Sequence, residues 1–486
     1  MLAVPLIFAV FTLSLAAETP FDVRQHLSTV TSYGAVKDIA DDSFVTSLVP
    51  NGCTPIHLNL VARHGTRSPT KKRIKELDKL TTSLQERIRH AKERGLSLQE
   101  VPDWLFEWKS PWKGKVMGGE LIVKGEHELY DLGIRTRERF PDIFKDDYHP
   151  DVYSIRATQV PRASASAVAF GMGLFSGRGS LGPGNHRAFA VISESRASDI
   201  MLRFFDTCQT YKHYRESQEP AVEKLKEPVF EEIKDSVSAC YGLNFTRQDI
   251  SSLWFLCKQE ASLLDITDQA CNLFNPFEIE LLEWTDDLEG FVLKGYGNSV
   301  NYRMGVPLLE DVLQSMELAV RAHQEGHPHG SFEKARLRFA HAETIVPFSC
   351  LLGLFLDGAE FEMIQREERL GLPPKPPQKR RWKGSTVAPF AGNNMLVVYS
   401  CPANSSSNYY VRVLHNEHPI PLPGCNNSDF CPFEVFKERI VKPHLKHDYN
   451  AICNVKEVQH ETDPKPGWLS SLFNWLFACD SQGVEL

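Results

Sequence analysis

The chain has 486 residues, too many for one ordinary hydrophobic core, which points to two domains or one core with a large insertion. Apolar residues make up 42% and charged residues 24%, a balance that excludes collagen-like and largely disordered chains. The formal net charge of −8 argues against general nucleic-acid binding, so recognition of an anion has to rest on locally clustered Arg and Lys.

In chain order, Leu2 to Ala17 is uncharged, largely apolar, ends in small residues and is too short for a comfortable membrane span. It reads as a signal peptide, with a buried N-terminal helix as the alternative. Residues 56–62 (IHLNLVA) form an apolar run that reads as a buried strand ending at Arg63-His64-Gly65. Residues 72–93 are polar with spaced Leu and Ile and predict a surface helix, as do residues 125–144. Residues 151–156 (DVYSIR) predict a second strand, followed by a small-residue helix from Pro161 to Phe170, and residues 189–193 (FAVIS) a third strand. From about 195 to 325 the pattern is helical, with helices over 221–240, 248–264, 276–288 and 308–324. Strand patterns return at 337–341 (LRFAH), 395–401 (MLVVYSC) and 409–414 (YYVRVL).

This order predicts an α/β core built from both ends of the chain, residues 18–194 and 330–465, around an inserted mostly α-helical domain at 195–329. Residues 375–383 (KPPQKRRWK) read as a solvated basic loop, or as a rim that attracts an anion. Residues 466–486 hold a short apolar segment, 468–478, and a polar tail. That segment is about half a membrane span, and a helix packed on the core is the expectation.

The 11 cysteines are scattered rather than paired as CxxC, which argues for disulfides in an oxidising compartment and against zinc. Cys425 and Cys431 flank a short polar loop and are the one pairing the spacing suggests. Asn244, Asn404 and Asn426 stand in sequons, consistent with passage through the secretory pathway to the outside or to an endomembrane lumen.

Chemistry concentrates at the strand ends. Arg63-His64-Gly65-Thr66-Arg67-Ser68-Pro69 follows the first strand, where open α/β sheets bind ligands. Two Arg bracket a His there; guanidinium groups bind phosphate oxygens in bidentate fashion, and an oriented neutral imidazole is a nucleophile. Gly65 is expected to let the backbone approach the bound group. Arg156, in the segment Arg156-Ala-Thr-Gln-Val-Pro-Arg162, is expected to add a third cation from the second strand end. His341-Ala342-Glu343 follows a later strand, a His and a carboxylate facing one pocket.

RHGTRSP together with the distant HAE resembles the acid-phosphatase branch of the histidine phosphatase superfamily, and His-Ala-Glu in place of His-Asp resembles its multiple inositol polyphosphate phosphatases, a class of phytase. Lys71, Lys72 and the phrase Tyr241-Gly-Leu-Asn244 fit the same class. The resemblance implies a phosphoglycerate-mutase-like sandwich core and stepwise dephosphorylation of inositol polyphosphates, with 2,3-bisphosphoglycerate phosphatase activity also allowed. It implies His64 as nucleophile, Glu343 as proton donor, and Arg63, Arg67, Arg156 and His341 around the phosphoryl oxygens. Glu343 is then expected to have a pKa near the working pH. Lys71, Lys72 and Arg73 are expected to bind non-reacting phosphates, with Lys75 and the 379–381 stretch as weaker candidates. No cofactor, metal, nucleic-acid partner or membrane association is expected, and the protein is expected to be a monomer. The alternatives are a broad-specificity secreted acid phosphatase and a non-catalytic anion-binding glycoprotein.

Overall fold

The computed structural model describes residues 21–454 except 39–43, 45–47, 116, 329 and 403–406. Residues 1–17, Asn404, Cys479 and the apolar segment 468–478 lie outside the described residues. The central strand, β1 (Thr54–Arg63), is buried from Ile56 onward. Such a strand reads as a near-continuous apolar run because both its faces are covered. Leu58, Leu60 and Ala62 enter one apolar cluster and Val61 the other, the two-residue alternation of a strand between two layers, while Ile56 joins Val61's cluster because the register shifts between Pro55 and His57.

Helix α1 (Lys71–Glu93) follows β1, and α2 (Val123–Arg139) precedes β2 (Tyr153–Ala157) and α3 (Pro161–Leu174). The helical stretch comprises α4 (Gln209–Tyr241), α5 (Arg247–Gln259), α6 (Pro276–Lys294) and α7 (Val306–Gln324), with shorter turns between them. Then come β3 (Ala335–Ala340), α8 (Ala342–Leu351), β4 (Asn393–Ser400), β5 (Tyr409–His415), β6 (His418–Pro419) and β7 (Phe430–Pro432). The sheet order is β2-β3-β1-β4-β5-β6, with β7 also pairing β5. β1 is parallel to β3 and antiparallel to β4, and β2 is parallel to β3.

Three expectations change. Residues 189–193 contribute one bridge, Ile192 to Arg156, rather than a strand. Helix α4 starts at Gln209 and runs through Pro220 and Pro228. Both prolines and the residues four before them, Glu216 and Lys224, are exposed, so the carbonyls that lose a donor are open to water. Helix α7 lies against the sheet: Asn59 of β1 donates to Ser315 Oγ at 2.9 Å. The sheet's cover therefore includes part of the stretch assigned to the insert. Among the described residues four disulfides close the fold, Cys53–Cys401, Cys208–Cys453, Cys257–Cys271 and the expected Cys425–Cys431.

The parallel strands end side by side. Arg63 registers with Ala340, and Ala157 with Phe339. The next residues continue the ladder, His64 N donating to Ala340 O at 3.0 Å and Thr158 N to Phe339 O at 3.0 Å. His64, Thr158 and His341 therefore leave the sheet at one edge.

Candidate active site

His64 is only 2% exposed. Its Nδ1 lies 2.9 Å from the Gly65 carbonyl, which can only accept, so Nδ1 carries the hydrogen and Nε2 the lone pair. Burial, and then the neighbouring charges of Arg63 and Arg162, hold the imidazole well below its ordinary pKa, which keeps it neutral. The loop is pinned from below. Gly65 N donates to Ser166 Oγ at 3.1 Å, and Thr66 donates from its backbone N at 2.7 Å and from its hydroxyl to Glu128 of α2. A Cβ on Gly65 would sit 2.3 Å from Gly125 O, so this glycine serves the contact between the loop and the first turn of α2 rather than approach to a ligand.

Four guanidinium groups crowd the same place. Arg63 is 5% exposed, and its Nη1 donates to the carbonyls of Ala388, at 2.7 Å, and Thr29. Arg67 donates to Ser68 O at 2.8 Å. Arg162, at the start of α3, puts Nη2 3.4 Å from His341 Nδ1, and Arg203 puts Nη1 2.9 Å from His341 Nε2. Arg203 also pairs with Asp206. Burial, followed by the charge of Arg67, lowers the pKa of Arg63 to about 9 and that of Arg162 to about 10. The Nε of all four arginines is buried and has no partner among the described residues, as is also true of Arg87, Arg156 and Arg303 elsewhere, so the distinguishing feature here is the convergence of four cations. Unpaired donors on crowded, desolvated cations are strongly disfavoured unless an anion joins them. The cluster is built for a multiply charged oxyanion.

His341, 2% exposed, joins this group, its ring centroid 5.5 Å from that of His64. Thr158 Oγ1 lies 2.9 Å from its Nε2. Burial lowers its pKa to about 3, so it too is neutral. Glu343, in the first turn of α8, keeps 31% of its side chain exposed and accepts from Lys294 Nζ at 2.9 Å. Burial alone would raise its pKa, but the charge and hydrogen bond of Lys294 outweigh this and hold it well below the ordinary carboxylate range. The expectation of a pKa near the working pH fails in this state, because the last residue of α6 supplies a cation the sequence did not reveal.

Residues 56–416 match the histidine phosphatase superfamily (branch 2). The chain belongs to that family. Its similar relatives include multiple inositol polyphosphate phosphatase 1 of Dictyostelium discoideum, 28% identical over 84% of this chain and 69% of the relative. The protein of the same name from Homo sapiens is 27% identical over 77% of each chain. Among solved structures, the phytase from D. castellii superposes with a TM-score of 0.67 at 18% identity, covering 97% of this chain and 95% of the other. That likeness shows the histidine phosphatase fold.

Of the site residues expected in this histidine phosphatase, the structure brings together His64, Arg63, Arg67, His341 and Glu343. It does not bring Arg156. That residue registers with Arg338 and, like it, acts on the charge of Asp311 in α7, on the flank of the sheet. Arg162 joins the cluster instead, because the strand has ended and Pro161 starts a helix whose second residue turns to His341. That proline is the signal that could have found it; Arg203, Thr158 and Lys294 carried none. Lys71 and Lys72 are exposed in the first turn of α1 and line a cleft of about 760 Å³ with Lys75 and Lys79. Arg73 is already engaged, paired with Glu76 at 2.6 Å and lying 4.7 Å over the Phe255 ring. Arg380 of the basic loop is not solvated but buried between Glu283 and Asp287.

Proposed function

We propose that this histidine phosphatase removes phosphate stepwise from inositol polyphosphates, including the hexakisphosphate, through a phosphohistidine on His64. The observation that carries the reading is the buried neutral imidazole, its Nδ1 held by the Gly65 carbonyl, inside four converging guanidinium groups. The curated relatives named as inositol polyphosphate phosphatases support the substrate class. Nε2 attacks phosphorus in line, the P–O bond to the inositol ring breaks, and the guanidinium groups neutralise charge on the phosphoryl oxygens. Glu343 gives the leaving alkoxide its proton, then takes one from the water that cleaves the phosphohistidine. Ring phosphates compete with Glu343 for Lys294, and their charge raises the carboxylate's affinity for a proton, so substrate binding itself arms the acid. Lys71 and Lys72 meet non-reacting phosphates at the rim.

Four disulfides, with Asn244 and Asn426 exposed in their sequons, support a site of action in the secretory pathway. The test is phosphate release from inositol hexakisphosphate by wild type and His64→Ala, with acid-quench labelling. Release and labelled protein in the wild type, with activity down at least about 10³-fold and no label in the variant, are expected. Undiminished release by His64→Ala would remove the phosphohistidine. Turnover of simple monoesters alone would leave a broad acid phosphatase.

A further inference from the structure

Arg63 owes its position to two chain segments remote from it in sequence. Nη1 spends its hydrogens on the carbonyls of Thr29 and Ala388, and the guanidinium carbon sits 4.3 Å over the Phe390 ring. Nη2 donates to no described residue, so the edge left for a ligand is set by where those two carbonyls stand. The segments are tied to each other, Phe390 N donating to Thr31 O at 2.9 Å.

Both segments are fastened to the same face of α6. Glu283 and Asp287, one turn apart and without side-chain exposure, share Arg380 of the basic loop, which is 5% exposed. Asp287 Oδ1 accepts from Ser28 Oγ at 2.9 Å and from Gly384 N at 2.7 Å. Glu283 Oε1 accepts from Ser385 Oγ at 2.8 Å, and His26 Nδ1 lies 3.0 Å from its Oε2. Ser28 adjoins Thr29, and the turn Gly384–Val387 ends at Ala388. The carbonyls that grip Arg63 are thus one residue and a few residues from the hydroxyls that grip the carboxylates. A Cβ on Gly384 would lie 2.2 Å from Ser28 Oγ, so the two segments meet with no slack.

We propose that the buried Glu283–Arg380–Asp287 cluster is a positioning device for the phosphoryl-binding Arg63, acting through Ser28 and Ser385. Buried ion clusters add little net stability over a packed apolar core, and fixing a geometry is their best-attested use. The inference rests on reading Arg63 as a ligand of the phosphoryl oxygens. Its test is a cycle of Ser28→Ala/Ser385→Ala, Arg63→Gln and the combination. These changes cut the hydroxyl links and leave the ion cluster whole; Ser385→Ala alone serves if the pair folds poorly. The readouts are kcat on glycerol 2-phosphate, the dissociation constant of orthovanadate and the thermal midpoint. The serine pair is expected to lower kcat about tenfold and weaken vanadate by a similar factor, with no further loss where Arg63 is already Gln. A loss that multiplies with Arg63→Gln, or a lowered midpoint with vanadate affinity unchanged, would overturn the proposal. If the wild type turned over no phosphomonoester, the functional reading would fall, while vanadate affinity would still report the placement of Arg63.

Discussion

The Lys294–Glu343 pair sets a test that single residues can settle. The carboxylate is held below its ordinary pKa chiefly by the ammonium 2.9 Å away, against the opposing effect of burial. In the proposed mechanism the acid step uses the protonated form, which is lost as pH rises through the folded pKa. Removing Lys294 raises that pKa, so the alkaline limb of kcat/KM must move to higher pH. For Lys294→Met on glycerol 2-phosphate we expect a displacement of about one unit or more, the usual size for a close opposite charge. A limb that stays in place would mean that Glu343 is not the group titrating there. His64, Arg63, Arg67, His341 and Glu343 were legible because each lies at the end of a strand or in the short stretch after it, where chain proximity sets spatial proximity. Arg156 misled for a related reason. Its strand position says which edge it approaches, but its side chain follows the pleat to the flank with Arg338.

At the scale of elements, the loop that carries His64 is held by contact between backbones. A Cβ on Gly125 would meet Thr66 O at 2.2 Å and Thr66 N at 2.6 Å, atoms one residue from Gly65 in the loop that orients His64. Gly125→Ala should therefore cost about 1–3 kcal/mol of stability, as overpacking does, and lower kcat with it. Gly290→Ala, inside α6 with nothing within 4 Å of its new Cβ, should instead be neutral or stabilise by up to about 1 kcal/mol. Paired thermal melts and turnover numbers check both; equal effects at the two sites would refute the packing argument. The strands and most helices were legible because their apolar spacing matches the periods of 2 and 3.6. The exceptions have local causes. Pro220 masked the true start of α4, and residues 189–193 have strand composition but find one bridge in place of a full neighbour. The basic loop looked solvated because its carboxylate partners lie about a hundred residues away, at Glu283 and Asp287.

Over the whole molecule, charge is distributed against its average. The chain carries a net −8, yet Arg63, Arg67, Arg162 and Arg203 converge on one strand edge, and Lys71 and Lys72 stand exposed four and five residues beyond Arg67. A local positive field on an acidic body draws in anions only within about a Debye length, about 10 Å at 0.1 M salt. On the proposed reading, the buried arginines act on the scissile phosphate at contact and are screened little. The exposed lysines act across solvent and are screened strongly. Kinetics should separate the two. With rising sodium chloride, kcat/KM for inositol hexakisphosphate should fall much more steeply than for glycerol 2-phosphate, which has one phosphate and no use for the rim. Lys71→Ala/Lys72→Ala should flatten the first slope toward the second, raising KM at low salt with kcat little changed, as loss of uniform binding does. If the two substrates share one slope in the wild type, the rim lysines do not meet the substrate, and selectivity for highly phosphorylated rings has to come from the arginine pocket alone.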